Sequence, residues 1–96
     1  MAQYFVLGQW TEQGIKSVKD SPKRAEAAKA LAAKLGGKME VYYTMGKYDF
    51  IAVAEAPNDE VVMQIALTLG SQGNVRTTTL KAWSAAEGAK VIANVP

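Results

Sequence analysis

The hydrophobic positions of this chain follow two rhythms. Residues 4–10, 38–45, 48–55 and 75–83 read as strands, and the stretches between them repeat apolar residues at helical spacing. In the first strand both alternating sets are apolar: Tyr4, Val6 and Trp10 on one side, Phe5 and Leu7 on the other. Such a strand is expected to be covered on both faces. Thr11 is placed to cap a first helical turn in which Ile15 and Val18 share a face, and Ser21-Pro22 reads as an N-cap and first helical residue that restart the helix. Ala25, Ala28, Leu31, Ala32 and Leu35 then form a stripe of small and branched side chains, which Gly36-Gly37 bring to an end.

Residues 38–45 alternate Met39, Val41, Tyr43 and Met45 against Lys38, Glu40, Tyr42 and Thr44. Gly46-Lys47 suits a two-residue hairpin of type II′, whose first central position prefers glycine. That turn sets a register with Thr44 facing Asp49, Tyr42 facing Ile51 and Lys38 facing Glu55, the last a cross-strand charge pair. One face of the hairpin is apolar apart from its phenols. The other is mixed, as suits a pocket or a subunit contact. Asn58 caps a second helix whose stripe is Val61, Val62, Ile65, Ala66 and Leu69, with Asp59 and Glu60 favoured at its N-terminus. After the fourth strand, Ser84 and Glu87 have the spacing of a capping box that opens a short terminal helix.

The order β-α-β-β-α-β predicts an α+β, ferredoxin-like fold: a four-stranded antiparallel sheet with two helices on one face. The domain is expected to span residues 1–83, with 84–96 as a C-terminal tail that docks on a neighbouring element or frays. The face without helices retains apolar groups from the first and third strands. A patch of that kind marks a contact site, so pairing of two sheets in a homodimer or higher homo-oligomer is expected.

Composition narrows the chemistry. The chain has 96 residues and neither cysteine nor histidine. A chain this short buries about 60–65% of its unfolded surface. Assembly is therefore the expected supplement to stability, disulfides being impossible. The missing side chains exclude thiol nucleophiles, the Ser-His-Asp triad and the commonest zinc, haem and iron–sulfur ligands. Carboxylates, hydroxyls, phenols, amines and indoles remain. No metal site or cofactor is expected.

A net charge of +2 is too small for a nucleic-acid footprint, and no nucleic-acid partner is expected. The excess is local: residues 1–47 hold eight basic and four acidic side chains, the remainder three and five. Most of the lysines and Arg24 lie on one helical segment, as expected of a solvated face, with an anion or partner patch as the alternative. The N-terminus lacks the pattern of a signal peptide and the longest apolar run is far too short to span a bilayer, so a cytoplasmic protein without a membrane partner is expected.

Three blocks in order carry a family resemblance. They are Trp10-Thr11-Glu12-Gln13-Gly14 with Lys19-Asp20-Ser21-Pro22-x-Arg24, the hairpin Gly46-x-Tyr48-Asp49, and Thr78-Thr79-Leu80-Lys81-Ala82-Trp83. Together they resemble the GYD domain family, small bacterial and archaeal proteins with no established activity, over roughly residues 3–83. The resemblance implies the dimeric α/β-barrel superfamily, in which two ferredoxin-like subunits join their sheets. A similar hairpin occurs in the effector-sensing domain of leucine-responsive regulators, which binds small molecules such as amino acids. Nothing ahead of the first strand reads as their helix-turn-helix. Other relatives in the superfamily include cofactor-free monooxygenases, lactone isomerases and haem-dependent enzymes. The absence of histidine sets the haem branch aside.

Asp49 is the candidate catalytic residue. It opens an apolar strand, where a carboxylate either accepts backbone N–H groups or serves a pocket as general base. Tyr48 either packs in the core or lines the pocket, and Trp10 is either core or a platform for a flat ligand. Arg24 stands beside the Ser21-Pro22 restart as part of a modest anion site or of the solvated surface. Gly46, Tyr48 and Asp49 form the structural motif of the hairpin. The leading expectation is an oligomeric domain that binds a small molecule or metabolite through Trp10, Arg24, Tyr48 and Asp49. The alternatives are a cofactor-free enzyme of monooxygenase or isomerase type, and a structural assembly subunit.

Overall fold

Backbone pairing places β1 (Ala2–Trp10) and β3 (Phe50–Ala56) at the centre of one antiparallel sheet, with β2 (Lys38–Tyr43) and β4 (Val75–Ala82) at its edges, in the order β2-β3-β1-β4. The computed structural model describes residues 1–96. Between the strands lie α1 (Glu12–Lys16), a 3-10 turn (Val18–Asp20), α2 (Ser21–Lys34) and α3 (Asp59–Ser71), and α4 (Ala85–Ala93) follows β4. This is the α+β, ferredoxin-like βαββαβ arrangement. No helix is long and apolar enough to cross a membrane.

The hairpin register is the expected one: Lys38 lies opposite Glu55, Tyr42 opposite Ile51, and the Thr44 N–H donates to the Asp49 carbonyl at 2.9 Å. The turn itself differs. The strands stop at Tyr43 and Phe50, not at Met45 and Tyr48. The Thr44 hydroxyl donates to the Tyr48 carbonyl at 2.7 Å, which closes a wider loop than a two-residue turn, and Gly46 takes a φ of 108° within it.

The start of α2 differs as well. Ser21 already has helical dihedrals, because the 3-10 turn feeds directly into the helix. Its hydroxyl shares a hydrogen bond of 3.0 Å with the Tyr43 phenol, so it does not cap. The other caps follow the sequence. Thr11 accepts from the Gly14 N–H, Asn58 from the Val61 N–H, and Ser84 and Glu87 form the capping box.

The helices cover the even-numbered face of β1. Val6, Met39 and Ala52 of the sheet meet Ala28 and Ala32 of α2 and Ile65 of α3 in one buried cluster. Alanines on both sides of this contact bring helix and sheet close together. A second cluster joins Tyr4, Ala54 and Ala56 to Val62.

The opposite face carries two rows across all four strands. Tyr42, Ile51, Leu7 and Thr78 form one; Glu40, Val53, Phe5 and Leu80 form the next. Phe5 is 38% exposed, Leu80 47% and Tyr42 59%. The outer side of β1 therefore stays uncovered within one chain. No residue of α4 is buried, and Val91, Ile92 and the following Val95 all face solvent. Ile15 and Val18 are exposed too: α1 is held by its contact with the α3–β4 loop, not by an apolar face.

That contact is tight. The Thr11 N–H donates to the Asn74 carbonyl at 3.1 Å, and the Thr11 hydroxyl donates to the Gly73 carbonyl at 2.6 Å. A Cβ on Gly14 would come within 1.9 Å of the Asn74 carbonyl oxygen, an atom fixed in the backbone. Gly70, inside α3, has open space around it. Gly14→Ala should therefore destabilise the fold by about 1–3 kcal/mol through overpacking. Gly70→Ala should stabilise it by up to about 1 kcal/mol through helix propensity. Denaturant midpoints at one protein concentration measure both.

Candidate functional site

A cavity of about 50 Å³ lies between the sheet and the two long helices, at the end where β1 runs out. Trp10, the last residue of β1, forms part of its wall. The indole centroid sits 5.5 Å from that of Phe50 and 6.3 Å from that of Tyr43, both pairs tilted. Aliphatic and small side chains, among them Met39, Ala28 and Ile65, complete an almost wholly apolar wall. Ser21 and Arg24 contribute from the first turn of α2, Gln72 and Asn74 from the end of α3 and the loop beyond it.

Arg24 is the charged group on this wall. Its Nη1 donates to the Ser17 carbonyl at 3.2 Å, tying α2 back to the end of α1. Its Nη2 is buried and has no hydrogen-bond partner. A guanidinium presents five N–H donors, and an unmet buried donor costs about 1–3 kcal/mol or more when charged. A ligand that accepts there removes the penalty.

Of the candidates drawn from the sequence, Trp10 and Arg24 line the cavity and are brought together there. Asp49 and Tyr48 do not line it. The Asp49 Oδ2 accepts the Trp10 N–H at 2.8 Å, and the Asp49 N–H donates to the Gly8 carbonyl at 2.8 Å. Asp49 therefore fixes the backbone from which the indole projects. Tyr48 is half-buried in the hairpin loop, with the Lys47 ammonium 5.7 Å from its ring centroid. Gly46 is exposed, and a methyl group on its Cα would meet nothing within 4 Å.

Several contributors are absent from the site residues read in the sequence, among them Ser21, Tyr43, Phe50, Gln72 and Asn74. Ser21 was expected to cap α2, and that expectation masked its hydroxyl. Tyr43 and Phe50 share the apolar face of the hairpin, and the pairing of a phenol with the aromatic opposite it was the available signal.

A wider groove of about 300 Å³ runs along α3 and β4. Three of its polar groups, Tyr4, Asp59 and Lys81, satisfy one another. The Tyr4 phenol donates to the Asp59 carboxylate, and the Lys81 ammonium lies 2.9 Å from the same group. No group of three or more Asp or Glu side chains lies close enough to hold a metal ion.

The Asp59 cluster titrates at both ends of the pH scale. The hydrogen bond to Asp59, then burial, then the charges of Asp59 and Glu60 push the Tyr4 phenol from 10.0 up to about 12. The bonds from Tyr4 and Lys81 hold the Asp59 carboxyl below the usual range. Stability from Tyr4 is present below pH 10 and should be lost as pH climbs from 10 to about 12. Stability from Asp59 is present above its unfolded pKa near 3.8 and should be lost as pH falls through the lower folded value. Tyr4→Phe should flatten the alkaline limb of a stability–pH curve and leave the neutral region only modestly lowered.

The chain and its fold have counterparts among known proteins. The GYD domain family matches residues 4–92. A protein of Thermus thermophilus named glutamine synthetase and cystathionine beta-lyase binding protein is 33% identical over 84 residues, covering 85% of this chain and 88% of that protein. A crystal structure of a Thermus thermophilus protein superimposes with a TM-score of 0.58 at 28% identity, covering 88% of this chain and 96% of the other. With nearly its whole length matched, the chain belongs to the GYD domain family.

Proposed function

We propose that this GYD domain binds a small organic molecule in the cavity beside Trp10 and assembles with copies of itself through its open sheet face. The observation that carries the first part is the cavity: an apolar chamber walled by Trp10 and Phe50 that leaves the buried Arg24 Nη2 without a partner. Ligand sites are typically apolar clefts with a few convergent polar groups, and this one has that composition. Asp49 enters as a positioning residue, through its bond to the Trp10 N–H. A role as the base of a cofactor-free enzyme draws less support, because its carboxylate is engaged by backbone and does not line the cavity. The assembly half rests on the apolar side chains in the two rows across the sheet, Phe5, Leu7, Ile51, Val53 and Leu80.

A second reading is a protein-binding role. The Thermus thermophilus relative is named for binding glutamine synthetase and cystathionine beta-lyase. The exposed rows of the sheet, with Val91 and Ile92 of α4, supply apolar surface for a protein partner.

A metabolite panel screened by melting temperature tests the pocket. The expected result is at least one compound that raises the wild-type melting temperature and perturbs Trp10 emission in a Trp83→Phe background. Asp49→Ala should weaken that response while Asp49→Asn, which keeps an acceptor oxygen, should preserve it. A flat panel overturns the ligand reading, and loss of the response in Asp49→Asn overturns the positioning role.

For assembly, sedimentation at micromolar concentration should give a dimer or larger species. Phe5→Glu, which buries charge opposite Val53 and Leu80, should shift the protein to monomer. A wild-type monomer overturns the assembly half.

A further inference from the structure

We infer that the ligand of the cavity is a small monocarboxylate with an apolar body and no amino group. The inference rests on the cavity being a ligand site and specifies what enters it.

The argument starts from the charges. Five ion pairs join side chains of this chain, and none involves Arg24. Its Nη1 is engaged by the Ser17 carbonyl, a neutral acceptor, and its Nη2 is buried without any partner. A guanidinium in that condition is best matched by an anion that offers paired oxygens in a plane, which a carboxylate does. Ser21 Oγ and Tyr43 OH, 3.0 Å apart, line the same cavity. Whichever hydroxyl accepts in that bond keeps its own O–H to donate to a ligand oxygen.

The remaining wall defines the rest of the molecule. Trp10, Phe50, Met39 and Ile65 offer hydrophobic surface, so the body beyond the carboxylate is a short aliphatic one. Volume keeps it small, since about 50 Å³ corresponds to roughly four ordered waters. No Asp or Glu lines the cavity. An α-ammonium group would enter without a counter-charge, at a desolvation cost that nothing there offsets. The wall thus discriminates against an amino acid and in favour of its des-amino counterpart.

The test uses the full chain and compares acetate and propionate with acetamide and propionamide, and with glycine and L-alanine, at constant ionic strength. Binding is read by melting temperature and by Trp10 emission in the Trp83→Phe background. At least one carboxylate should bind saturably, with its amide and its amino acid weaker by about tenfold or more. Arg24→Gln should reduce carboxylate affinity to the level of the amide, and Arg24→Lys should recover part of it. The wild-type comparison of acid with amide needs no variant, so the inference stays testable if Arg24→Gln folds poorly. Equal binding of acid and amide, tighter binding of the amino acid, or an unchanged preference in Arg24→Gln overturns the monocarboxylate assignment while leaving a small-molecule site standing. Absence of binding by all six compounds overturns the assignment as well, and the broader panel then decides whether the cavity takes any ligand.

Discussion

The end of the sheet that holds the cavity depends on one close approach, the Phe50 ring lying across Gly8. The two residues are cross-strand partners, and a Cβ on Gly8 would stand 2.0 to 2.4 Å from the ring atoms. Only a residue without a side chain lets the ring lie there. Phe50 in turn supports the Trp10 indole, and Asp49 clamps the same segment with two backbone bonds, one to Gly8 and one to Trp10. The hairpin and the end of β1 are thereby locked to each other from both sides of the strand. The motif Gly46-x-Tyr48-Asp49 makes structural sense in this light. The loop delivers Asp49 to the backbone of β1 just before Phe50 must turn inward.

The two faces of the sheet are unequal for a reason of size. Two long helices cover one face only: the alanine stripe of α2 comes down close onto Val6 and Ala52, and Val62 of α3 meets Ala54. Close packing of small residues makes a thin core. Of its larger members, Met39, Phe50 and Ile65 stand around the cavity, where the helices and the sheet leave space between them. The other face has no element left to cover it, and there Phe5, Leu7, Ile51 and Val53 adjoin one another across two strands. Burying that band against another surface would add the hydrophobic stabilisation that a short chain lacks on its own.

Much of this was legible in the sequence where chemistry and spacing agree over a short range. The Lys38–Glu55 pairing, the Asn58 cap, the Ser84–Glu87 box and the end of α2 at Gly36-Gly37 all involve residues whose partners are near in sequence or fixed by a hairpin. Alternation separated the two faces of the hairpin but carried no information on which one meets the helices, since both are partly apolar. Ser21 was misread because serine before proline has a strong local preference, and a tertiary partner, Tyr43, overrode it. The bond from Arg24 to Ser17 was invisible for the same reason: it needs the 3-10 turn that brings α1 and α2 together.

The contrast between the two polar clusters on the helix-bearing side separates structure from function. Around Asp59 the carboxylate has its counterparts: a phenol donates, an ammonium pairs, and both pKa values move in the direction that favours the folded state. Such a cluster is explained by folding alone. Around Arg24 that explanation fails, because a buried donor stands in an apolar wall with nothing to receive it. Nη1 serves the fold through its bond to Ser17, but Nη2 is left an unmet donor that a shorter or aliphatic side chain in the wall would not leave. A charge retained against that cost is better explained by something that comes from outside the chain. The positions of the hydroxyls of Ser21 and Tyr43 in the same wall, and the absence of any acid from it, give that something its chemical outline.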